Sequence, residues 1–276
     1  MTHDAQSRER HPPRRGYEAH PAHPDVPRAA GLHRKLSPDE INRLELASYR
    51  GPVHVVHTPD QVLAAVAALR HETVLGFDTE TRPSFKKGES HPPALMQLAG
   101  ESAVYVFQLH AIGLPVELAQ VLSDPRITKA GVAIARDLRE LRTLTEFEPH
   151  GFVDVGTCAA KSGVQHHGLR GLAALLLGCR ISKSAQLTNW ERADLPPPAL
   201  RYAATDAWIS RRIYEALRDL GRIGAGVAPA PAQKAPKGGL WHRAKAAVGR
   251  IARGTVRQKW WPASGRHPKT DPSNPA

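Results

Sequence analysis

The chain alternates between apolar residues spaced as in helices and short apolar runs typical of strands. After Thr58, four apolar residues share one helical face: Val62, Ala65, Val66 and Leu69. Residues 58–61 read Thr-Pro-Asp-Gln, a capping box with proline at the first helical position. The pattern therefore predicts a helix that ends near Arg70. A second capping box at 37–40 predicts another helix start, after Ser37.

Further apolar runs predict alternating strands and helices along the rest of the chain. The predicted strands are 73–78, 94–99, 103–109, 127–132 and 152–155, and the predicted helices are 115–122, 135–144, 169–177 and 198–220. The turn residues Gly100-Glu101-Ser102 separate two of these strands and predict a hairpin. Strands that alternate with helices are typical of an α/β sheet covered by helices.

Charge divides the chain into three parts. Of the net charge of +12 on 276 residues, segment 1–36 carries 7 basic and 4 acidic residues, and segment 221–276 carries 11 and 1. The part between them has a balance of −1. We therefore expect a disordered tail over 1–36, one globular domain over 37–220, and a linker with a basic, Trp-containing tail over 221–276.

Two classes of protein are disfavoured by the apolar content. No stretch approaches the roughly 18 to 20 uninterrupted apolar residues of a membrane span. Residues 1–15 lack the apolar core of a secretory signal. We therefore expect a cytoplasmic protein without a transmembrane segment.

Candidate chemistry begins at the end of the apolar run 74–77, where Asp78 and Glu80 follow. Side chains alternate along a strand, so both carboxylates are expected on the same side, at the carboxyl end of a predicted strand. A buried carboxylate is unfavourable unless a cation or hydrogen-bond donors compensate its charge. Because hard divalent ions favour oxygen ligands, the pair is a candidate metal site, although a surface role explains it equally well.

Tyr202 and Asp206 lie four residues apart on a predicted helix, so their side chains project from one face. This spacing lets both side chains act at one point: Asp206 can bind a metal ion while the phenol of Tyr202 hydrogen-bonds a water or a phosphate oxygen. An ordinary half-buried tyrosine and a solvated aspartate are the alternative. Asp137 opens another predicted helix, where it either joins the site, interacts with the helix dipole or pairs with Arg136 or Arg139.

Three motifs follow one another along the chain in an order that resembles a known family. They are Asp78-Thr79-Glu80, the stretch 131–138 that reads Gly-Val-Ala-Ile-Ala-Arg-Asp-Leu, and the stretch 202–207 that reads Tyr-Ala-Ala-Thr-Asp-Ala. The segments 95–99 (Leu-Met-Gln-Leu-Ala) and 183–190 (Lys-Ser-Ala-Gln-Leu-Thr-Asn-Trp) add to the match. The chain resembles the 3′–5′ exonucleases of the DEDD superfamily, tyrosine-bearing branch, and within it the ribonuclease D-like and Werner-type exonuclease domains, from about residue 51 to 220.

The resemblance implies a ribonuclease H-like fold with a mixed central sheet flanked by helices. It also implies two divalent ions, Mg²⁺ or Mn²⁺: Asp78, Glu80 and Asp206 would hold the first, Asp78 would bridge to the second, and Asp137 would support the second. Tyr202 would orient the attacking water. The implied activity is hydrolysis of phosphodiester bonds at single-stranded or frayed 3′ ends of RNA or DNA, with release of nucleoside 5′-monophosphates.

Two further segments are candidates for contact with nucleic acid. Phe85, Lys86 and Lys87 follow the first motif, where an aromatic ring and two cations suit stacking and phosphate contact; an ordinary solvated loop is the alternative. In the C-terminal tail, Trp260 and Trp261 lie among cations. That composition suits nucleic acid, a membrane surface, or a tail without a specific partner.

Two other functions compete with the exonuclease interpretation. A catalytically silent nucleic-acid-binding module of the same fold would use the tail for binding. The complete set of acidic motifs disfavours it, because loss of function readily erases such unfavourable charges. A membrane-surface or scaffold protein built around the tail tryptophans accounts for none of the carboxylates.

Overall fold

A mixed sheet forms the centre of the molecule. The computed structural model describes residues 32–84, 91–185 and 187–223. Within these ranges the strands are β1 (Glu45–Leu46), β2 (Val53–Val56), β3 (Val74–Thr81), β4 (Pro93–Ala99), β5 (Val104–Gln108), β6 (Thr128–Gly131), β7 (Phe152–Asp154) and β8 (Cys179–Arg180). Six of them form one sheet in the order β2-β5-β4-β3-β6-β7, and β1 pairs separately with β8.

Antiparallel and parallel pairs both occur in the central sheet. Strand β4 runs antiparallel to β3 and β5, whereas the other neighbours are parallel. The predicted hairpin joins β4 to β5, and the N–H of Gly100 donates to the carbonyl of Ala103 in its turn, at 2.9 Å. The mixed sheet that the family resemblance implied is therefore present.

Eight α-helices lie within the described residues, and two of them begin at the predicted capping boxes. They are α1 (Pro38–Arg43), α2 (Pro59–Leu69), α3 (Leu109–Ile112), α4 (Val116–Leu122), α5 (Ala135–Leu144), α6 (Val155–Lys161), α7 (Leu169–Leu172) and α8 (Pro197–Asp219). Ser37 and Thr58 each accept from the third helical residue, and the side chain of that residue accepts from the cap, which confirms both capping boxes. Proline at the first helical position adds a preset φ.

Helices cover both faces of the sheet. On one face Leu75 and Phe77 of β3 pack with apolar residues of α2 and α4. On the other face Leu95 and Ala99 of β4 belong to a cluster that includes Ala203 of α8. Because side chains alternate along a strand, Asp78 and Glu80 face the α8 side, opposite Phe77.

Several local features differ from the sequence-based prediction, among them the short helices α3 and α6, which were not predicted. Strand β3 continues past Asp78 to Thr81, because residues 78–81 pair with β4 despite their polarity. The predicted helix 169–177 is α-helical only to Leu172 and then continues as a π-helix over Ala173–Leu177, which packs on α8 and ends at Gly178 with φ 67°. The short strands β1, β2 and β8 were not predicted, since pairing between distant residues forms them.

The predicted tails cannot be compared with this fold over most of their length. Residues 1–31 and 224–276, including Trp260 and Trp261, lie outside the described residues. Within the described part of the chain, none of the helices combines the length and apolar character needed to cross a membrane.

Candidate metal centre on β3 and α8

Two of the predicted carboxylates lie on β3 and face α8. Asp78 is directly opposite Gln97 of the antiparallel strand β4, and Glu80 is opposite Leu95. The two acids lie in the carboxyl-terminal half of β3, as the sequence predicted, and within the part of the strand that pairs with β4. The pairing becomes irregular only between Glu80 and Thr81. A paired strand holds both backbones in place, so the spacing of the two carboxylates is largely preset.

Helix α8 brings Tyr202 and Asp206 over these two residues. The helix crosses β3 closely because Gly76 has no side chain: a Cβ atom at that position would overlap the carbonyl oxygen of Ala207. Ala207 follows Asp206 directly, so this contact fixes the height of Asp206 above the strand. The close packing of glycine against a helix backbone is therefore what allows acids from two distant segments to meet.

Asp78, Glu80 and Asp206 form one carboxylate cluster. One oxygen from each lies within 4.8 Å of the other two. Asp206 is only 6% exposed, and its Oδ1 has no hydrogen-bond partner among the described residues. A buried carboxylate oxygen without a donor is unfavourable in the protein alone, so the cluster has an unmet demand for a cation or for donors.

The pKa values in the cluster are raised. Burial first, then the charges of Asp206 and Asp137, raise the pKa of Glu80 to about 8. Burial raises the pKa of Asp206 to about 7, although an interaction with the Tyr202 phenol partly offsets this. Burial and the neighbouring carboxylates also raise the pKa of Asp78 well above its ordinary value. Burial explains the common direction of the three pKa shifts, and neighbouring like charges add to it at Asp78 and Glu80.

Asp137 reaches the same region from α5. Its Oδ1 accepts a hydrogen bond from the Thr79 hydroxyl at 2.5 Å, and its charge contributes to the raised pKa values of Asp78 and Glu80. Arg136, a candidate partner of Asp137 in the sequence, instead pairs with Glu140 at 2.7 Å. Ahead of this helix the backbone turns at Ala133, which has φ 57°. Such a conformation is unfavourable for a residue with a side chain and is typical of functional sites.

The residues present fit a divalent cation. All the nearby ligand atoms are carboxylate oxygens, which hard ions such as Mg²⁺, Mn²⁺ and Ca²⁺ prefer. The raised pKa values and the unpartnered Oδ1 of Asp206 show that the protein by itself leaves this charge uncompensated. A cation between the oxygens would compensate it.

The sequence-based site residues have different outcomes in the structure. Asp78, Glu80, Asp137, Tyr202 and Asp206 are brought together, as their pKa interactions show. Phe85, Lys86 and Lys87 lie outside the described residues.

Two contacts at the site were not predicted. One is the hydrogen bond from Thr79 to Asp137. The other is the packing of buried Trp190 beside Tyr202, with ring centroids 6.1 Å apart. Both residues lie within the motifs that resemble the family, but a motif does not specify which atoms touch.

A mixed sheet that holds a carboxylate cluster beneath a long helix defines a nuclease-type domain, and comparison with known proteins narrows the class. Residues 53–222 match the model of the 3′–5′ exonuclease family. The match covers more than half of the chain, and the chain belongs to this family. The predicted resemblance to ribonuclease D-like and Werner-type domains is confirmed.

Several curated relatives share about a third of the aligned residues. The exonuclease mut-7 homolog of Homo sapiens is 32% identical over 179 residues, 55% of this chain and 20% of the relative. The bifunctional 3′–5′ exonuclease/ATP-dependent helicase WRN of Mus musculus is 32% identical over 154 residues, 54% of this chain and 11% of the relative. Ribonuclease D of Gluconacetobacter diazotrophicus is 30% identical over 179 residues, which cover 63% of this chain and 44% of the relative. The chain therefore spans less than half the length of these three relatives.

Solved structures confirm the fold. The Nibbler EXO domain of Aedes aegypti aligns with a TM-score of 0.57 and 23% identity, covering 63% of this chain and 91% of the domain. Ribonuclease D of Trypanosoma brucei in complex with RNA U12 aligns with a TM-score of 0.53 and 18% identity, covering 74% of this chain and 70% of the ribonuclease chain. The ribonuclease H-like fold implied by the family resemblance is thus present.

Proposed function

We propose that this chain is a divalent-metal-dependent 3′–5′ exonuclease that acts on single-stranded or frayed 3′ ends of RNA or DNA and releases nucleoside 5′-monophosphates. The observation that carries the proposal is the cluster of Asp78, Glu80 and Asp206, whose oxygens lie within 4.8 Å of one another inside a 3′–5′ exonuclease domain. The complex of a T. brucei ribonuclease D with RNA supports nucleic acid as the partner.

The carboxylates have separate roles in this proposal. Asp78, Glu80 and Asp206 would hold a first Mg²⁺ or Mn²⁺, and Asp78 and Asp137 would hold a second. Bound ions of this kind stabilise the negative charge that develops on a phosphate during hydrolysis. The hydrogen bond from the Thr79 hydroxyl fixes one carboxylate oxygen of Asp137.

Tyr202 is proposed to orient the attacking water. Burial and the charges of Asp206, Glu80 and Asp78 raise the pKa of its phenol above the ordinary value. The phenol therefore keeps its proton at neutral pH and acts as a hydrogen-bond donor, not as a base. Trp190 packs beside the ring and restricts its movement.

The alternative of a silent nucleic-acid-binding module of the same fold makes a different prediction. Such a module would bind nucleic acid without hydrolysing it. The retention of one buried and two half-buried carboxylates with raised pKa values disfavours this alternative, since a protein that needs no cation gains no stability from them. The cytoplasmic location expected from the sequence remains a prediction.

A hydrolysis assay tests the proposal. Matched RNA and DNA strands with a 5′ label are incubated with Mg²⁺, Mn²⁺ or a chelator, so that shortening from the 3′ end appears as a ladder. We expect hydrolysis with metal only, and a loss of about 10²- to 10³-fold in Asp206→Asn. Asp219→Asn, the same change at the exposed far end of α8, serves as the control. Unchanged hydrolysis in Asp206→Asn would contradict the proposal, and binding without hydrolysis in wild-type protein would favour the silent module.

A further inference from the structure

A cavity opens beside the carboxylate cluster, along the N-terminal half of α8. Its volume is about 250 Å³. The walls come from three parts of the chain: Leu46 of β1 with Ala47 and Ser48, then Ser182 and Ser184 after β8, and α8 itself. Tyr202 and Asp206 are also among the lining residues, so the cavity adjoins the proposed catalytic site. Its volume is slightly below the roughly 300 Å³ at which small-molecule pockets begin, so it suits one part of a nucleotide and not a whole one.

One side of the cavity carries hydrogen-bond donors and a positive charge. Ser48, Ser182, Ser184 and Arg201 all line it. The hydroxyls of Ser182 and Ser184 hydrogen-bond each other at 2.8 Å, so one of them donates within the pair and the other keeps its proton for a ligand. The guanidinium of Arg201 forms no ion pair or hydrogen bond with any other described residue, and the residue is exposed. Serine hydroxyls and an unpaired guanidinium are the groups that usually contact phosphate oxygens.

Another part of the lining is apolar and includes a side chain that is unusually exposed. Leu46, Ala47, Pro197 and Pro198 line this part, and Leu46 is 45% exposed. An apolar surface next to phosphate-type donors matches the two chemical parts of a nucleotide, which are an anionic phosphate and an apolar sugar or base face.

We propose that this cavity is a phosphate subsite for the nucleic-acid strand. Arg201, with the hydroxyls of Ser182 and Ser184, binds one of the two phosphates nearest the 3′ end. The inference rests on the proposed exonuclease function and deepens it, because it assigns the contact that holds the strand next to the acids. Nothing in the family match itself assigns a role to Arg201.

Electrostatics gives a reason for such a subsite. A strand that approaches Asp78, Glu80 and Asp206 brings more negative charge to a region that already contains several buried carboxylates. Arg201 precedes Tyr202 in the chain and carries an unpaired positive charge at the margin of that region. A cation at this place offsets the repulsion where the strand enters, independently of the metal ions.

The first experiment measures binding without hydrolysis. A fluorescein-labelled single-stranded oligouridylate is titrated with the full chain in chelator, between 50 and 200 mM salt, and binding is followed by anisotropy. We expect Arg201→Gln to weaken binding about 10-fold, because one charge-assisted hydrogen-bonding group is lost. The slope of log affinity against log salt should fall in magnitude by about 0.7, the value for one phosphate contact on a single strand.

Arg218→Gln is the matched control. It removes the same charge from an exposed position on the same helix. It lies 17 residues further along, about 25 Å at the rise of an α-helix and beyond the screening distance of about 10 Å at 0.1 M salt. Equal affinities and equal salt slopes for the two variants would overturn the proposal.

The second experiment locates the phosphate. Oligonucleotides with a single neutral methylphosphonate at the first, second or fourth linkage from the 3′ end are bound to wild-type and Arg201→Gln protein. If Arg201 contacts a given phosphate, neutralising that phosphate should remove most of the effect of the substitution. We expect this coupling at the first or second linkage and independence at the fourth. Full additivity at all three linkages would overturn the proposal.

Failure of this proposal is distinguishable from failure of the proposed function. A chain that shortens nucleic acid with metal, but shows no difference between Arg201→Gln and Arg218→Gln, retains the function and loses the subsite. A chain whose binding depends on Arg201, but which never hydrolyses, retains the subsite and loses the function.

Discussion

At the scale of single residues, the carboxylates of Asp78, Glu80 and Asp206 are held in a state that a metal-free protein disfavours. Burial raises all three pKa values, repulsion between carboxylates adds to this at Asp78 and Glu80, and one oxygen of Asp206 has no partner among the described residues. Each of these acids therefore binds a proton more readily in the folded chain than in the unfolded one. Protons and divalent cations compete for the same oxygens, which makes both stability and metal affinity depend on pH.

The first prediction concerns the pH dependence of stability without metal. The pKa values of Glu80 and Asp206, about 8 and about 7 in the folded state, lie above the ordinary values of about 4. The folded state therefore binds more protons between those limits, and the free energy of unfolding falls as pH rises from about 4 to 8. Urea unfolding in chelator at pH 5 and pH 8 measures this. We expect Glu80→Gln to reduce the fall by about 2 kcal/mol.

Glu146→Gln, at an exposed position, is the control for this experiment and should follow the wild-type curve. A pH dependence in Glu80→Gln equal to that of wild type would contradict the prediction. Added Mg²⁺ or Mn²⁺ should oppose the loss of stability at pH 8, because the ion replaces the proton.

The second prediction concerns the contact between Thr79 and Asp137. Thr79→Val keeps the shape of the side chain but removes the donor at 2.5 Å, so the Asp137 carboxylate loses its orientation. Partners that orient metal ligands typically contribute about 10- to 100-fold in metal affinity or activity. We expect a loss at the lower end of this range, with Mn²⁺ binding measured by calorimetry. Thr81→Val, two residues along the same strand, should bind Mn²⁺ as wild type does; an equal loss in both variants would assign the effect to the strand and not to the contact.

At the scale of elements, the crossing of α8 over β3 builds the site. Neither element contains it alone, because Asp78 and Glu80 come from the strand and Asp206 from the helix. The same crossing is held at a second place, where Arg211 of α8 donates to the carbonyl of Val74 at 2.9 Å and pairs with Glu72 at 3.1 Å. The crossing is therefore fixed at two places, by the close backbone contact at Gly76 and, just before it in the chain, by the contacts of Arg211 with Val74 and Glu72.

The third prediction tests that close contact. In Gly76→Ala the new methyl group would overlap the carbonyl of Ala207, so α8 must move away from β3. Overpacking of this kind typically reduces the free energy of unfolding by about 1–3 kcal/mol. Since Asp206 moves with the helix, hydrolysis and Mn²⁺ affinity should fall together. Gly168→Ala, at a glycine whose Cβ would meet nothing within 4 Å, is the control for the loss of glycine. Hydrolysis at the wild-type rate in Gly76→Ala would contradict the prediction.

At the scale of the whole molecule, most of the net positive charge lies in a different part of the sequence from the proposed catalytic residues. The central part of the sequence is nearly neutral, whereas the segment after residue 220 carries a large positive charge. Long-range attraction of a polyanion therefore belongs mainly to the tail, and the proposed Arg201 subsite acts only at short range. The two contributions should respond differently to salt and to strand length.

The fourth prediction tests the tail. Truncation after Ile223 removes ten basic residues and one acidic residue, and it keeps Arg222, whose carbonyl accepts from Ser162. We expect weaker binding of single-stranded nucleic acid at low salt and a flatter salt dependence, because fewer phosphates are contacted. Hydrolysis of a short oligonucleotide at saturating concentration should change little. Identical binding curves at low salt for the two forms would contradict the prediction, and binding of liposomes by the full chain alone would instead favour a membrane-surface role.

Local signals were sufficient for much of the fold. The capping boxes at Ser37 and Thr58 predicted helix starts correctly, since a cap depends on residues three apart in the chain. The hairpin between β4 and β5 was predicted for a similar reason. The π-helix after Leu172 was missed because it depends on packing against α8. The short strands were missed because their partners are distant in the chain: Val53 pairs with Val104, and Glu45 pairs with Cys179.

The candidate site shows the same division between sequence and structure. The sequence alone supplied the prediction of which residues carry the chemistry, because carboxylates at these motif positions are chemically distinctive and their order resembles one family. Only the tertiary structure decided that oxygens from β3 and α8 meet within 4.8 Å, that Thr79 holds Asp137, and that Arg201 lines a cavity beside Asp206. Those contacts join residues far apart in the chain, and their distances depend on how closely a helix can pack on a strand, which here depends on a glycine.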